Sequence, residues 1–159
     1  MQLAVDLSRL NVERGSGGPF GAAIFDGASG ALLGIGMNSV VRLNNSTLHA
    51  EMMAFMRAQA SVGSFSLATS AGAGRELFTS CEPCAMCLGG VLWSGVTRVV
   101  FAARRDDAQR LAFDEGPVFP ESFAYLRRRG IRIEGGPLRD EARQVMEAYR
   151  ARGGVIYNA

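Results

Sequence analysis

The chain has 159 residues, 48% hydrophobic and 20% charged, with a formal net charge of +2. This is ordinary globular composition for a chain long enough to bury a core, and it predicts one domain over residues 1–159. So small a net charge makes no strong electrostatic claim on nucleic acid or a membrane surface.

In chain order, Leu3, Leu7 and Leu10 recur at helical spacing over residues 2–14, and Gly15 stops the pattern. After the flexible GSGG (15–18), residues 19–26 and 31–40 read as two strands of a hairpin joined by GASG. RLNNST (42–47) is a polar loop, and Thr47 or Ser46 is placed to cap the helix LHAEMMAFMRAQA. That helix is apolar on nearly every face, so burial is expected. A loop of small residues (63–75) leads to a short strand, 76–81. Pro83 suits the first turn of a helix running to about Ser94, with Gly95 as its stop. Residues 97–103 form a continuous apolar run, as in a parallel strand covered on both faces. Pro120 opens a helix that Gly130 closes, 131–134 alternates as a strand, and a last helix sets Leu138, Ala142, Val145, Met146 and Tyr149 on one face. VIYNA is a tail. The order α-β-β-α-β-α-β-α-β-α implies an α/β fold with three α/β/α layers and a five-stranded mixed sheet.

The chemistry concentrates in TSCEPCAMC, residues 79–87, which holds Cys81, Cys84 and Cys87. An odd, local cluster of cysteines argues for a thiolate site in a cytoplasmic protein rather than a disulfide framework. The opening MQLAVDLSRL carries Asp6 and Arg9, which makes a poor secretory leader. No run approaches the ~18 apolar residues of a membrane span. Cys84 and Cys87 share one face at a helix start, where the dipole favours thiolates. His49, the single histidine, also falls at a helix start, close to Glu51. One His and two Cys make a three-ligand set for one Zn²⁺ with an open fourth position for water, the form of a catalytic zinc. The alternative takes Cys81 as fourth ligand, giving a closed structural site in a zinc-stabilised binding module. That reading leaves Glu51 without a task; a carboxylate so placed suits a general base.

HAE (49–51) and PCAMC (83–87) together are the signature of zinc nucleobase deaminases. From GGPFGAAIF onward the chain resembles the cytidine-deaminase-like superfamily, which has the same element order. GMNSV, VLWSG, FDEGP and GVIYN extend the likeness to its bacterial guanine deaminases. The resemblance implies a cytoplasmic, homodimeric enzyme acting on a free nucleobase, most naturally guanine to xanthine and ammonia, with no nucleic-acid partner. In such dimers the C-terminal segment can close the partner's site. It also implies site roles. Glu51 shuttles protons, and Glu115 is a second carboxylate for the base's paired N–H donors. Asn38 reads the purine edge, Phe20 and Ala50 line the base, Trp93 walls the pocket and Tyr157 covers it. Cytosine, guanosine or an aminated triazine such as ammeline are the alternative substrates.

Overall fold

The computed structural model describes residues 1–70 and 72–158. Ala71 in the small-residue loop and Ala159 at the end of the tail lie outside the described residues. The elements are α1 (Gln2–Glu13), β1 (Gly21–Asp26), β2 (Leu32–Met37), α2 (Val40–Leu43), α3 (Ala50–Ser61), β3 (Arg75–Cys81), α4 (Ala85–Ser94), β4 (Arg98–Ala103), α5 (Arg105–Gln109), α6 (Pro120–Arg128), β5 (Arg132–Gly135) and α7 (Arg139–Ala151).

The strands form one five-stranded sheet in the order β2-β1-β3-β4-β5. β1 runs antiparallel to β2 and β3, while β3, β4 and β5 run parallel. One row of the sheet pairs Gly34, Ile24, Leu77, Val99 and Ile133 across all the strands. Its four large side chains are buried under α3, α4 and α6 with Ala54, Phe55, Val91 and Leu126. Each such side chain contributes about 1.5–3 kcal/mol by leaving water. A one-residue slip in β3 would replace Leu77 by Glu76 or Phe78, so this layer fixes the register. On the opposite face α1 packs on β1 and α7 on β4, and Val5, Val12, Ala142, Val145 and Met146 share one buried cluster there. The sheet and its two helical layers are those expected.

Close contact between α3 and β2 depends on glycine. A Cβ on Gly36 would collide with the Ala50 carbonyl, and one on Gly34 would lie 2.6 Å from Ala58 N. This approach sets the start of α3, and with it His49, at the sheet's edge.

Several boundaries differ from expectation. β2 ends at Met37, and the run on to Leu43 becomes the short helix α2, closed by Asn44 at φ +48°. The cap of α3 is His49 rather than Thr47 or Ser46; Thr47 instead donates to Asn45 Oδ1 at 2.7 Å in a local turn. α4 starts at Ala85, so Pro83 precedes the helix and Cys84 is its cap. α3 is not wholly buried, since Met56 is 57% exposed. Leu138 sits just before α7, at φ +72°, yet still packs with Ala142, Val145 and Met146 as expected. α5 fills a stretch for which no element was expected. It is tied to α7 by Asp107, whose buried carboxylate receives Arg139 at 2.8 and 3.0 Å.

Candidate active site

Two helix starts create the site. A residue at that position ordinarily turns its side chain back to cap the free N–H groups of the first turn. His49 before α3 and Cys84 before α4 have extended backbones and make no such bond. Their side chains meet each other instead. His49 Nδ1 lies 3.5 Å from Cys84 Sγ and 3.7 Å from Cys87 Sγ, and Cys87 stands one turn into α4. The ligand atoms of His49, Cys84 and Cys87 all lie within 4.8 Å of one another. The N-to-S edge of a tetrahedral zinc site is about 3.6 Å from ordinary bond lengths. The donor set therefore fits one Zn²⁺, both in chemistry and in spacing.

Charge at the set is already biased toward metal binding. A hydrogen bond from the Cys87 thiol, opposed by burial and aided by His49, holds the Cys84 thiol down to about 4. The same bond, with burial, pushes Cys87 up. Burial alone would lower His49, but the Cys84 thiolate beside it raises it. Cys81 stands apart. Its thiol is 3% exposed, points to Arg104 O at 3.7 Å, and is raised well above the ordinary range by burial. The closed four-ligand arrangement is not the one observed.

Beside the metal set lies a small cavity that Phe20, Asn38, Glu51, Glu115 and Tyr157 line together with Cys81, Glu82 and Asn158. Glu51 and Glu115 are each 6% exposed. Burial, with the nearby Cys84 thiolate, raises both carboxyls, Glu115 to about 8. Thr79 donates to Glu51 Oε1 at 3.2 Å, which orients the carboxyl. Asn38 is fully buried, and its Nδ2 donates to the Tyr157 hydroxyl at 2.8 Å. Tyr157 also packs its ring against Phe113 and edge-on to His49. The cavity measures ≈ 20 Å³, room for about one water. Tyr157 of the same chain lines this cavity. Larger grooves of ≈ 510 and ≈ 570 Å³ lie by α7 and by Gly15–Gly17, away from the metal set.

Residues 1–103 match the family described as the cytidine and deoxycytidylate deaminase zinc-binding region. The chain belongs to this deaminase family. It is 38% identical over 121 residues to the guanine deaminase of Bacillus subtilis, covering 76% of this chain and 73% of the relative. It superposes with a TM-score of 0.87 on a solved guanine deaminase from Nitrosomonas europaea, at 42% identity over 93% of this chain and 81% of the other. A structure solved with 2,6-diaminopurine gives a TM-score of 0.89 at 44% identity, over 98% and 82% of the two chains.

In this zinc-dependent deaminase, two expected site positions fall elsewhere. Trp93 is 79% exposed on α4 and is not part of the cavity wall. The period of α4 carries it to the solvent side. The Ala50 side chain is fully buried in the core beneath β2 rather than beside the cavity. Conversely, Thr79 and Asn158 reach the site without having been singled out, and Glu82, whose role the sequence left open, lines its cavity. Glu82 lies inside the cysteine motif, between Cys81 and Cys84. Asn158 gave no signal: its Nδ2 donates to Asp114 O at 2.5 Å, 44 positions away in the chain.

Proposed function

We propose that this deaminase converts guanine and water to xanthine and ammonia, acting as one deaminase domain over residues 1–159. The observation that carries this reading is the second buried carboxyl, Glu115, placed beside Glu51 in the cavity next to the metal set. The likeness to guanine deaminases supports it.

His49, Cys84 and Cys87 would hold Zn²⁺, which would supply Lewis-acid activation of the attacking water. Glu51 accepts a proton from the attacking water. A C–O bond forms at the ring carbon bearing the amino group. Glu51 returns that proton to the ring nitrogen, then takes the second proton from the added hydroxyl and passes it to the departing amine. The C–N bond breaks, ammonia leaves and a carbonyl remains. Thr79 holds Glu51 in register for both transfers. Glu115 faces the edge where guanine presents a ring N–H beside its amino group. Two parallel donors suit a carboxylate and favour its ionised form, against the burial that keeps Glu115 protonated near neutrality. Phe20 packs against the ring. Asn38, released from Tyr157 when the C-terminal segment moves aside, offers an amide that both donates and accepts.

The protein acts as a homodimer, with Trp93 on α4 and Met56 on the adjoining α3 as exposed apolar side chains for the contact. In the dimer the segment ending in Tyr157 closes the site of its own chain or that of its partner. It works in the cytoplasm, where three free cysteines stay reduced. Among the described residues, no helix is long and apolar enough to cross a membrane. Ammonia release from guanine, guanosine, cytosine, adenine and ammeline tests the substrate. Guanine is expected to give the highest kcat/KM; preference for cytosine or adenine would contradict the reading.

A further inference from the structure

Glu82 has no part in that mechanism, although it lies between Cys81 and Cys84 and borders the cavity. Its backbone N–H donates to Ala103 O at 2.9 Å, at the end of β4. Its carboxylate Oε2 accepts the backbone N–H of Arg105 at 3.1 Å. Arg105 begins α5, and its guanidinium Nη1 donates to Val118 O at 2.7 Å. Val118 is buried and closes the loop that carries Glu115; its own N–H returns to Gly116 O at 2.9 Å.

This loop has no regular structure and turns at Gly116, φ +68°. External ties must therefore hold Glu115 in place. One tie is the Ala85 N–H, which donates to Glu115 O at 2.9 Å. A second joins Asp114 to Asn158, through Asp114 N to Asn158 O at 3.0 Å and the side-chain bond in return. That second tie belongs to the segment bearing Tyr157, so any displacement of that segment to admit a base would release it. The Glu82–Arg105–Val118 chain is independent of it. It links the metal-ligand turn directly to the far end of the Glu115 loop.

We propose that Glu82 and Arg105 are positioning residues that hold Glu115 at its working distance from the metal set while the site is open. The proposal rests on the role given above to Glu115. A misplacement of about 1 Å in a reacting group costs up to ~100-fold in rate, so a loosened loop is felt in turnover without any loss of metal.

The test is a double-mutant cycle on guanine turnover with Arg105→Ala, Glu115→Ala and the double variant, each with its zinc content and Tm. Arg105→Ala is expected to lower kcat/KM about 10-fold or more while keeping one zinc per chain. The double variant is expected to lie within about 2-fold of Glu115→Ala alone, because residues acting through one another are not additive. Glu82→Ala should behave like Arg105→Ala. Glu82→Gln, which keeps an acceptor for the Arg105 N–H, should recover most of that loss. Losses that multiply in the double variant would overturn the proposal. So would Arg105→Ala kinetics within 2-fold of the parent, or zinc lost from Arg105→Ala. A parent inactive on guanine would instead contradict the substrate reading, and the cycle is then run on the base that it does turn over. Glu115→Ala kinetics equal to the parent's would sink both claims.

Discussion

Cys81→Ala separates an open metal site from a closed one. The thiol is 3% exposed and its only polar contact among the described residues is the long bond to Arg104 O at 3.7 Å. Removing it deletes one buried heavy atom and leaves a gap smaller than a water. The expected cost is about 1 kcal/mol, or about 2–4 °C in Tm for a chain of this size. Zinc should remain at one per chain by mass spectrometry under native conditions, and guanine turnover should stay within a few-fold. Cys84→Ala and Cys87→Ala should each lose the metal, since their sulfurs stand 3.5 and 3.7 Å from His49 Nδ1. A Cys81→Ala protein that loses zinc and unfolds would show a fourth sulfur ligand, and the open-position chemistry would fall with it.

Other expectations follow from the same contacts. Asp107 is buried to 1% and receives Arg139, itself 38% exposed, in two bonds. Asp107→Ala should cost about 2–3 kcal/mol in urea unfolding at pH 7, at the lower edge of a buried pair because Arg139 can turn to water. Burial alone would raise Asp107, but Arg139 outweighs it and lowers the carboxyl. The pair's stability is thus complete above the unfolded value of about 3.9 and is lost as pH falls through the lower folded value, so the difference between variant and parent should narrow below that range. Glu115→Gln should lower kcat/KM on guanine by about 10²- to 10³-fold with zinc unchanged; equal kinetics would remove the carboxylate from the reaction. Trp93→Glu should shift a dimer to monomer in sedimentation, with an unaltered circular dichroism spectrum; a dimer that persists would place the contact elsewhere.

Much of the site was legible because its chemistry is local. His49 with Glu51, and Cys84 with Cys87, stand at short spacings beside helix starts, and the metal set needs little else. What the motifs could not show was how they meet. That depends on Gly34 and Gly36 letting α3 approach β2, which only the packed sheet reveals. α2 and α5 are 4 and 5 residues long, too short for a period to be seen. Pro83 was misplaced because the residues just before a helix tolerate proline as readily as its first turn does. Trp93 was drawn toward the pocket by the company of its motif, while its position on α4 sends it to solvent. The role of Glu82 stayed open, and Thr79 and Asn158 escaped notice, because their partners, Arg105, Glu51 and Asp114, are distant in sequence.

The most direct test is to compare guanine turnover by the zinc-loaded parent with that of Glu51→Gln, following ammonia and xanthine together. The parent should release the two in equal amounts, and Glu51→Gln should keep its zinc while losing about 10³-fold or more in kcat. Undiminished turnover by Glu51→Gln, or no xanthine from the parent, would contradict the account.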